Sequence, residues 1–271
     1  QFLAGVKMNR SKYIDFTRLG PLPGANIVIS GGCGGIGRVI TNACINTKLN
    51  TIVLDLESTN KANPCPEGAK FVAFDAHDED SVIAGFKSIS NLTGGKLDSL
   101  INLVGSGNTP APINMLDTDS FDEVISRNLR SAFLISKHSL PLLHNAGAGS
   151  LIHTSSGVAA RGVKGVGSYS AAKGGLVSLS KTIAVENGPH VRCNVIAPGG
   201  VTNKVKIKIT GDKATGPFGL DVTRNIEQMP MGRFADPIDL VGAYLFLSGP
   251  AAGYITGQVI HISGGLVTPS P

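Results

Sequence analysis

Residues 26 to 38 read NIVISGGCGGIGR: a short β-branched run, a glycine-rich turn and the opening of a helix. An apolar strand that does not alternate belongs in a parallel sheet covered on both faces. Gly31, Gly35 and Gly37 bracket the turn, with Gly34 and Ile36 between them. Glycines there let the backbone approach a pyrophosphate, whose charge the free amides and dipole of the helix start would favour. A glycine-rich turn alone is a weak signal, and its place between a strand and a helix strengthens it.

Similar runs recur down the chain: TIVLDL (51–56), KFVAF (70–74), LDSLINLVG (97–105), SLIHTSS (150–156), VRCNVIAPG (191–199) and QVIHIS (258–263). Helical patterns lie between them at 36–49, 78–92, 119–144, 168–187 and 236–248. Strands alternating with helices predict a doubly wound, Rossmann-like parallel sheet in a three-layer αβα sandwich. One such domain is expected over 25–271, after an N-terminal extension of 1–24 in which Met8 is a candidate native start. The stretch 203–228 fits neither pattern and reads as a substrate lid, since long insertions after a strand end are commonly functional. Its alternating Lys and Ile residues suggest one wet and one dry face, with Ile207 and Phe218 toward substrate; a surface helix and turn is the plainer alternative.

The totals bound the class. Of 271 residues, 42% are hydrophobic and 16% charged, and mean hydropathy is +0.16, which excludes disorder. The net charge of +5 is spread rather than blocked, so no nucleic-acid partner is expected. Cys33, Cys44, Cys65 and Cys193 show neither CxxC nor metal-site spacing, so reduced thiols in a cytoplasmic protein without a metal are expected. No segment reaches the ~20 apolar residues of a membrane span.

Asp55 ends the second strand run twenty residues after Gly35. A carboxylate there can accept hydrogen bonds from ribose hydroxyls and would repel a 2′-phosphate, which favours NAD(H) over NADP(H); a solvated strand-end acid is the alternative. Asp75, with Ala76, ends the third strand at the edge where an adenine would lie, and Asp78 reads as a helix cap. In SYSAAKGG (168–175), Tyr169 and Lys173 stand one helical turn apart on a shared face.

With these elements in order, residues 25 to 266 resemble the short-chain dehydrogenase/reductase family. The resemblance rests on the glycine turn at 31–37, Asp75, NLVG at 102–105, Asn128 in a long helix, Ser156, YSAAK at 169–173, NVIAPGG at 194–200 and YITGQVIHISGG at 254–265. It implies Tyr169 as general acid/base with Lys173 and Ser156 beside it, and Asn128 holding a water in a proton relay. Ser156 is selected over Thr154 and Ser155 by the family's spacing of thirteen residues before the tyrosine. Taken alone, Ser156 would cap a turn and Asn128 would bond backbone. The resemblance also implies cofactor contacts from Asn102, Val104, Gly105, Pro198, Gly199, Val201 and Asn203, with Tyr169 and Lys173 at the nicotinamide ribose, and a homotetramer.

A free phenol has a pKa near ~10, and a nearby ammonium is expected to lower it. His138, His144 and His153 match no family role and read as satisfied or solvated. Four departures stand out: Ser30 for the usual Thr, Leu103 and Val104 within NLVG, Asn203 for Thr with Thr202 adjacent, and SGG near the C-terminus. The expectation is an NAD-dependent oxidoreductase interconverting a secondary alcohol and a ketone of a small molecule. A non-redox cyclase or dehydratase on the same scaffold is the alternative, and a catalytically silent binding protein is disfavoured by the intact Asn, Ser, Tyr and Lys set.

Overall fold

The computed structural model describes residues 18–107, 109–202 and 226–267, with the backbone of 208–210 and 213–215. The chain runs β1 (Asn26–Ser30), α1 (Gly35–Asn46), β2 (Asn50–Asp55), α2 (Glu57–Ala62), β3 (Lys70–Ala73), α3 (Glu79–Thr93) and β4 (Ser99–Asn102). It continues with α4 (Thr118–Ile125), a π turn (Ser126–Arg130), α5 (Ser131–Asn145), β5 (Gly149–Thr154), α6 (Gly167–Asn187) and β6 (Val191–Pro198). After a small antiparallel hairpin, β7 (Lys208–Thr210) with β8 (Lys213–Thr215), come α7 (Pro237–Ser248) and β9 (Val259–Ile262).

Seven strands form one sheet in the order β3-β2-β1-β4-β5-β6-β9, every pair parallel. The winding reverses between β1 and β4, and a crevice opens at their carboxyl ends, where ligands bind in such sheets. Alternation within each strand divides the core. Val28, Ile52, Leu100 and Leu151 face a layer that includes Val82, Phe86 and Leu134 from α3 and α5. Ile27, Ile29, Ile101 and Ile152 face Ile40 from α1 and Leu240 and Tyr244 from α7. Burial of both strand faces is what the unalternating sequence runs encode. Each fully buried Ile or Leu contributes about 1.5–3 kcal/mol.

Local chemistry sets the ends of these elements. The Asp78 carboxylate accepts the amides of Asp80 and Ser81, as its cap reading predicts, and Gly94 closes α3 at φ +62°. The Asp236 amide donates to Asp239 Oδ2 at 2.8 Å at the start of α7. Ahead of β1, Arg18 donates to Thr47 O and the Gly24 amide to Lys48 O, which tie residues 18–24 to the end of α1.

The structure corrects two expectations and adds one element. β4 is shorter than the 97–105 run because the Val104 amide turns back onto Asn102 Oδ1 at 3.1 Å, a side chain competing with the ladder. The single helix expected over 119–144 is α4 and α5 joined by the π turn. A short helix, α2, occupies a stretch with no apolar periodicity. Of the lid at 203–228, the hairpin backbone and residues 226–228 are described; Asn203, Ile207 and Phe218 lie outside the described residues.

Candidate active site

A cavity of about 400 Å³ occupies the crevice. The glycine turn (Gly31 and Gly34 to Gly37) forms one wall, Asp55, Asp75 and Ala76 a second, and Val104, Gly105 and Val201 a third. Leu56, Thr59 and His77 also line it and carried no signal in the sequence; Thr154, there only an alternative to Ser156, lines it too. Gly34 caps α1 with extended backbone and no capping side chain, so the first amides of the helix stay available to an anion. A Cβ on Gly37 would overlap Gly31 O, so the turn closes this tightly only with glycine there.

Asp55 reaches the crevice from the end of β2. Its Oδ2 accepts the Cys33 amide at 3.0 Å and its Oδ1 the Leu56 amide at 2.9 Å, which fixes the carboxylate and leaves further lone pairs for ribose hydroxyls. Asp75 Oδ1 accepts the His77 amide at 2.9 Å. Three expected cofactor residues do not line this cavity. Asn102 is buried beneath the wall and holds Val104, while Pro198 and Gly199 end β6, where the Gly199 amide donates to Ile262 O. Asn203 lies outside the described residues. An open cradle at a helix start, a fixed carboxylate and a glycine-only turn fit a dinucleotide.

Two of its lining residues, Thr154 and Gly105, adjoin the proposed catalytic groups: Lys173 donates to Thr154 O, and Gly105 packs against Asn128 and Lys173. Three consecutive hydroxyls follow β5, and the structure separates them. Thr154 Oγ1 pairs with Tyr244 OH at 2.7 Å, Ser155 Oγ donates to Lys173 O at 3.0 Å, and Ser156 is hydrogen-bonded to the Tyr169 side chain. Tyr169 and Lys173 lie in the first two turns of α6. Burial pushes the Tyr169 phenol up to about 12, opposed by the Ser156 bond, and pushes the buried Lys173 amine down to about 8. The lowering expected from Lys173 is not found: burial sets the phenol, Ser156 alone opposes it, and the Lys173 Nζ is directed instead at Thr154 O, 2.9 Å away.

Asn128 sits within the π turn. A π turn passes each amide to the carbonyl five residues back, here Ser131 N–H to Ser126 O, which frees carbonyls four residues back for other donors. Asn128 Nδ2 takes Val124 O at 2.8 Å and also Ser106 O at 2.7 Å, while Ser131 Oγ takes Arg127 O at 2.9 Å. Asn128 Oδ1 is buried with no partner among the described residues. A Cβ on Gly105 would overlap this oxygen and stand 2.9 Å from Lys173 Nζ, so acceptor and amine converge on one small space. A buried orphan acceptor beside a buried amine is a place for a water.

The sequence reading missed a hydrogen-bonded line under the site. Ser30 Oγ donates to Asn102 Oδ1 at 2.8 Å, Asn102 Nδ2 meets His153 Nδ1 at 3.1 Å, and His153 Nε2 meets Ser136 Oγ at 3.0 Å, which donates to Ala132 O at 2.7 Å. One tautomer satisfies it throughout: Nδ1 accepts and Nε2–H donates. Burial, then the charge of Lys173, pushes this imidazole down to about 3, so it is neutral. His153 is the satisfied core histidine expected, and the register that pairs Asn102 with His153 between β4 and β5 brings the two together.

A dinucleotide cradle at the switch of a doubly wound sheet, with a Tyr, a Lys and a Ser at its far end, defines a nicotinamide-dependent oxidoreductase of the αβα class. The family model described as enoyl-(acyl carrier protein) reductase matches residues 31–267. The chain is 30% identical to a 3-oxoacyl-[acyl-carrier-protein] reductase of Aquifex aeolicus, over 90% of this chain and 98% of that one. It is also 30% identical to a 2-dehydro-3-deoxy-D-gluconate 5-dehydrogenase of Formosa agariphila, over 87% and 85% of the two. A solved short-chain type dehydrogenase/reductase from Mycobacterium ulcerans superimposes with TM-score 0.79 at 19% identity, over 91% and 90% of the two chains. This protein belongs to the short-chain dehydrogenase/reductase family.

Proposed function

We propose that this protein is an NAD(H)-dependent oxidoreductase that moves a hydride between nicotinamide and the carbinol or carbonyl carbon of a small or medium-sized molecule. The observation that carries it is the Tyr169 side chain hydrogen-bonded to Ser156 beside the Lys173 amine, which donates to the carbonyl of Thr154 in the wall of the cavity that the glycine turn and Asp55 also line. The two named relatives support the reaction class, one a reductase of a 3-oxoacyl group and the other a dehydrogenase of a sugar acid. The Asp55 carboxylate supports NAD(H), because a 2′-phosphate would face a fixed like charge.

The bound nicotinamide supplies or accepts the hydride. Ser156 donates a hydrogen bond to the substrate oxygen, where charge grows during reduction. Tyr169, still protonated at neutral pH, gives its proton to that oxygen and takes it back in the reverse direction. Lys173 holds ribose hydroxyls, and a water on Asn128 Oδ1 links the amine to solvent. The lid at 203–228 follows Val201, a wall of the cavity, and we assign substrate selectivity to it.

A panel of ketones and secondary alcohols assayed with NADH, NADPH and their oxidised forms tests this reading. Turnover must change the absorbance of the reduced nicotinamide; product without that change would mean a non-redox enzyme on the scaffold. We also propose a homotetramer, supported by exposed Phe133 on α5 and Val185 on α6; light scattering showing a monomer at micromolar concentration would reject it. Among the described residues no helix is long and apolar enough to cross a membrane.

A further inference from the structure

The adenosine end of the crevice carries two thiols that the proposed reaction does not use. Cys33 lies in the glycine turn and is buried, and Cys65 lies between α2 and β3 and is half-buried. Their side chains share a hydrogen bond. The segment bearing Cys65 is strapped down: both terminal nitrogens of Arg38, on α1, donate to Pro64 O at 2.6 and 2.8 Å, and the Cys65 amide donates to Asn60 Oδ1 at 2.8 Å. On the other side the Cys33 amide is held by Asp55 Oδ2. Asp55 and Arg38 are the charged groups facing the pair. Cys44 and Cys193 are buried in the two halves of the core.

We propose that Cys33 and Cys65 form a redox-active dithiol whose oxidation to a disulfide weakens dinucleotide binding. The second half rests on the reading of Asp55 as the ribose ligand. The oxidant is a small disulfide such as oxidised glutathione. The more exposed Cys65, as thiolate, attacks one of its sulfurs and a glutathione thiolate leaves. Cys33 then loses its proton and attacks the Cys65 sulfur, releasing the second glutathione thiolate. The protein gives up two protons and two electrons, and the oxidant becomes two thiols.

A disulfide bond is about 2.05 Å long, far shorter than a contact between two thiols, so closing it draws the strap and the glycine turn together. Cys33 is the residue whose amide Asp55 holds, so the displacement reaches both the ribose carboxylate and the first amides of α1. Burial raises both thiols, Cys33 to about 12, so neither rests as thiolate and oxidation needs prolonged exposure rather than a pulse.

The test incubates the full chain with oxidised glutathione, alkylates free thiols after unfolding, and maps the peptides. NADH and NADPH affinities are measured by nicotinamide fluorescence, in a protein that contains no tryptophan. The expected result is one bridged peptide joining Cys33 to Cys65, with Cys44 and Cys193 alkylated, and a Kd for the preferred dinucleotide raised at least about fivefold. A thiol reductant should restore it, and Cys65→Ser should remove both effects while keeping the reduced protein's Kd. Free Cys33 and Cys65 after prolonged oxidation, or a bridged protein with unchanged Kd, would overturn the proposal. If the reduced protein binds neither dinucleotide, the reading of the site has failed, and the peptide map alone still decides whether the dithiol exists.

Discussion

Lys173 Nζ donates to the carbonyl of Thr154 at 2.9 Å and stands 5.6 Å from the centre of the Tyr169 ring. The amine is thus anchored to the end of β5, and its burial holds its pKa near 8. In the proposed reduction this amine acts as a cation, so kcat/KM for reduction should fall above about pH 8. Lys173→Arg, which keeps its charge throughout, should remove that limb even at reduced activity. A limb unchanged in Lys173→Arg would assign the titration to another group.

Tyr169→Phe should lower kcat by about 10²–10⁴-fold or more with little change in dinucleotide Kd, since it removes the proton donor and leaves the nucleotide cradle intact. Lys173→Ala should damage both. Normal turnover by Tyr169→Phe would exclude the proposed chemistry.

Asp55→Ser should raise the ratio of NADPH to NADH efficiency at least about tenfold, the size of a ~1.4 kcal/mol repulsion. Because Asp55 also holds the Cys33 amide, the same change should weaken NADH binding itself. A parent enzyme that already prefers NADPH would remove Asp55 from the ribose.

Gly105→Ala forces a side chain onto Asn128 Oδ1 and Lys173 Nζ at φ +147°. Activity should fall at least about 10²-fold, the usual result of misplacing reacting groups by an ångström. Near-normal rates in that variant would mean that the Asn128 and Lys173 space is not used.

His153 binds its proton at about 3 when folded and near 6.5 when free, because burial opposes the charge. Between those values the unfolded chain holds more protons, so stability rises with pH across the window and is lost as pH falls through it. The slope is at most about 1.4 kcal/mol per pH unit. His153→Asn does not titrate; it should cost about 1–3 kcal/mol at neutral pH through broken hydrogen bonds. Its urea midpoints should nonetheless depend less on pH than the parent's between about pH 4 and 7. Parallel curves would locate the acid sensitivity elsewhere.

The layers and the crevice were legible because unalternating runs such as NIVIS encode burial on both faces, and because glycines and Asp55 occupy positions that few other residues satisfy. Ser156 was chosen by family spacing; in the structure Thr154 and Ser155 spend their hydroxyls on Tyr244 and Lys173 O, while Ser156 meets the Tyr169 side chain and also accepts the Val158 amide at 3.4 Å, the turn cap that was its plainer reading. The π turn was not legible: SRNLR has ordinary helical propensities, and the change of hydrogen-bond partner leaves no mark in periodicity. Nor was the contact of Cys33 with Cys65, or of His153 with Asn102. Both join residues far apart in sequence, and strand register and the strap create them.

The π turn also makes chain length at 126–130 a functional quantity. The π turn holds one residue more than an α turn, so removing one residue there would let the helix heal into continuous α and would re-phase Asn128 against the carbonyls around it. The donors and carbonyls that hold the Asn128 amide would no longer face each other. A substitution at an exposed position here leaves that bonding in place, whereas a single-residue deletion removes the turn that makes it. The segment acts as a spacer, and its length as much as its side chains places the Asn128 amide.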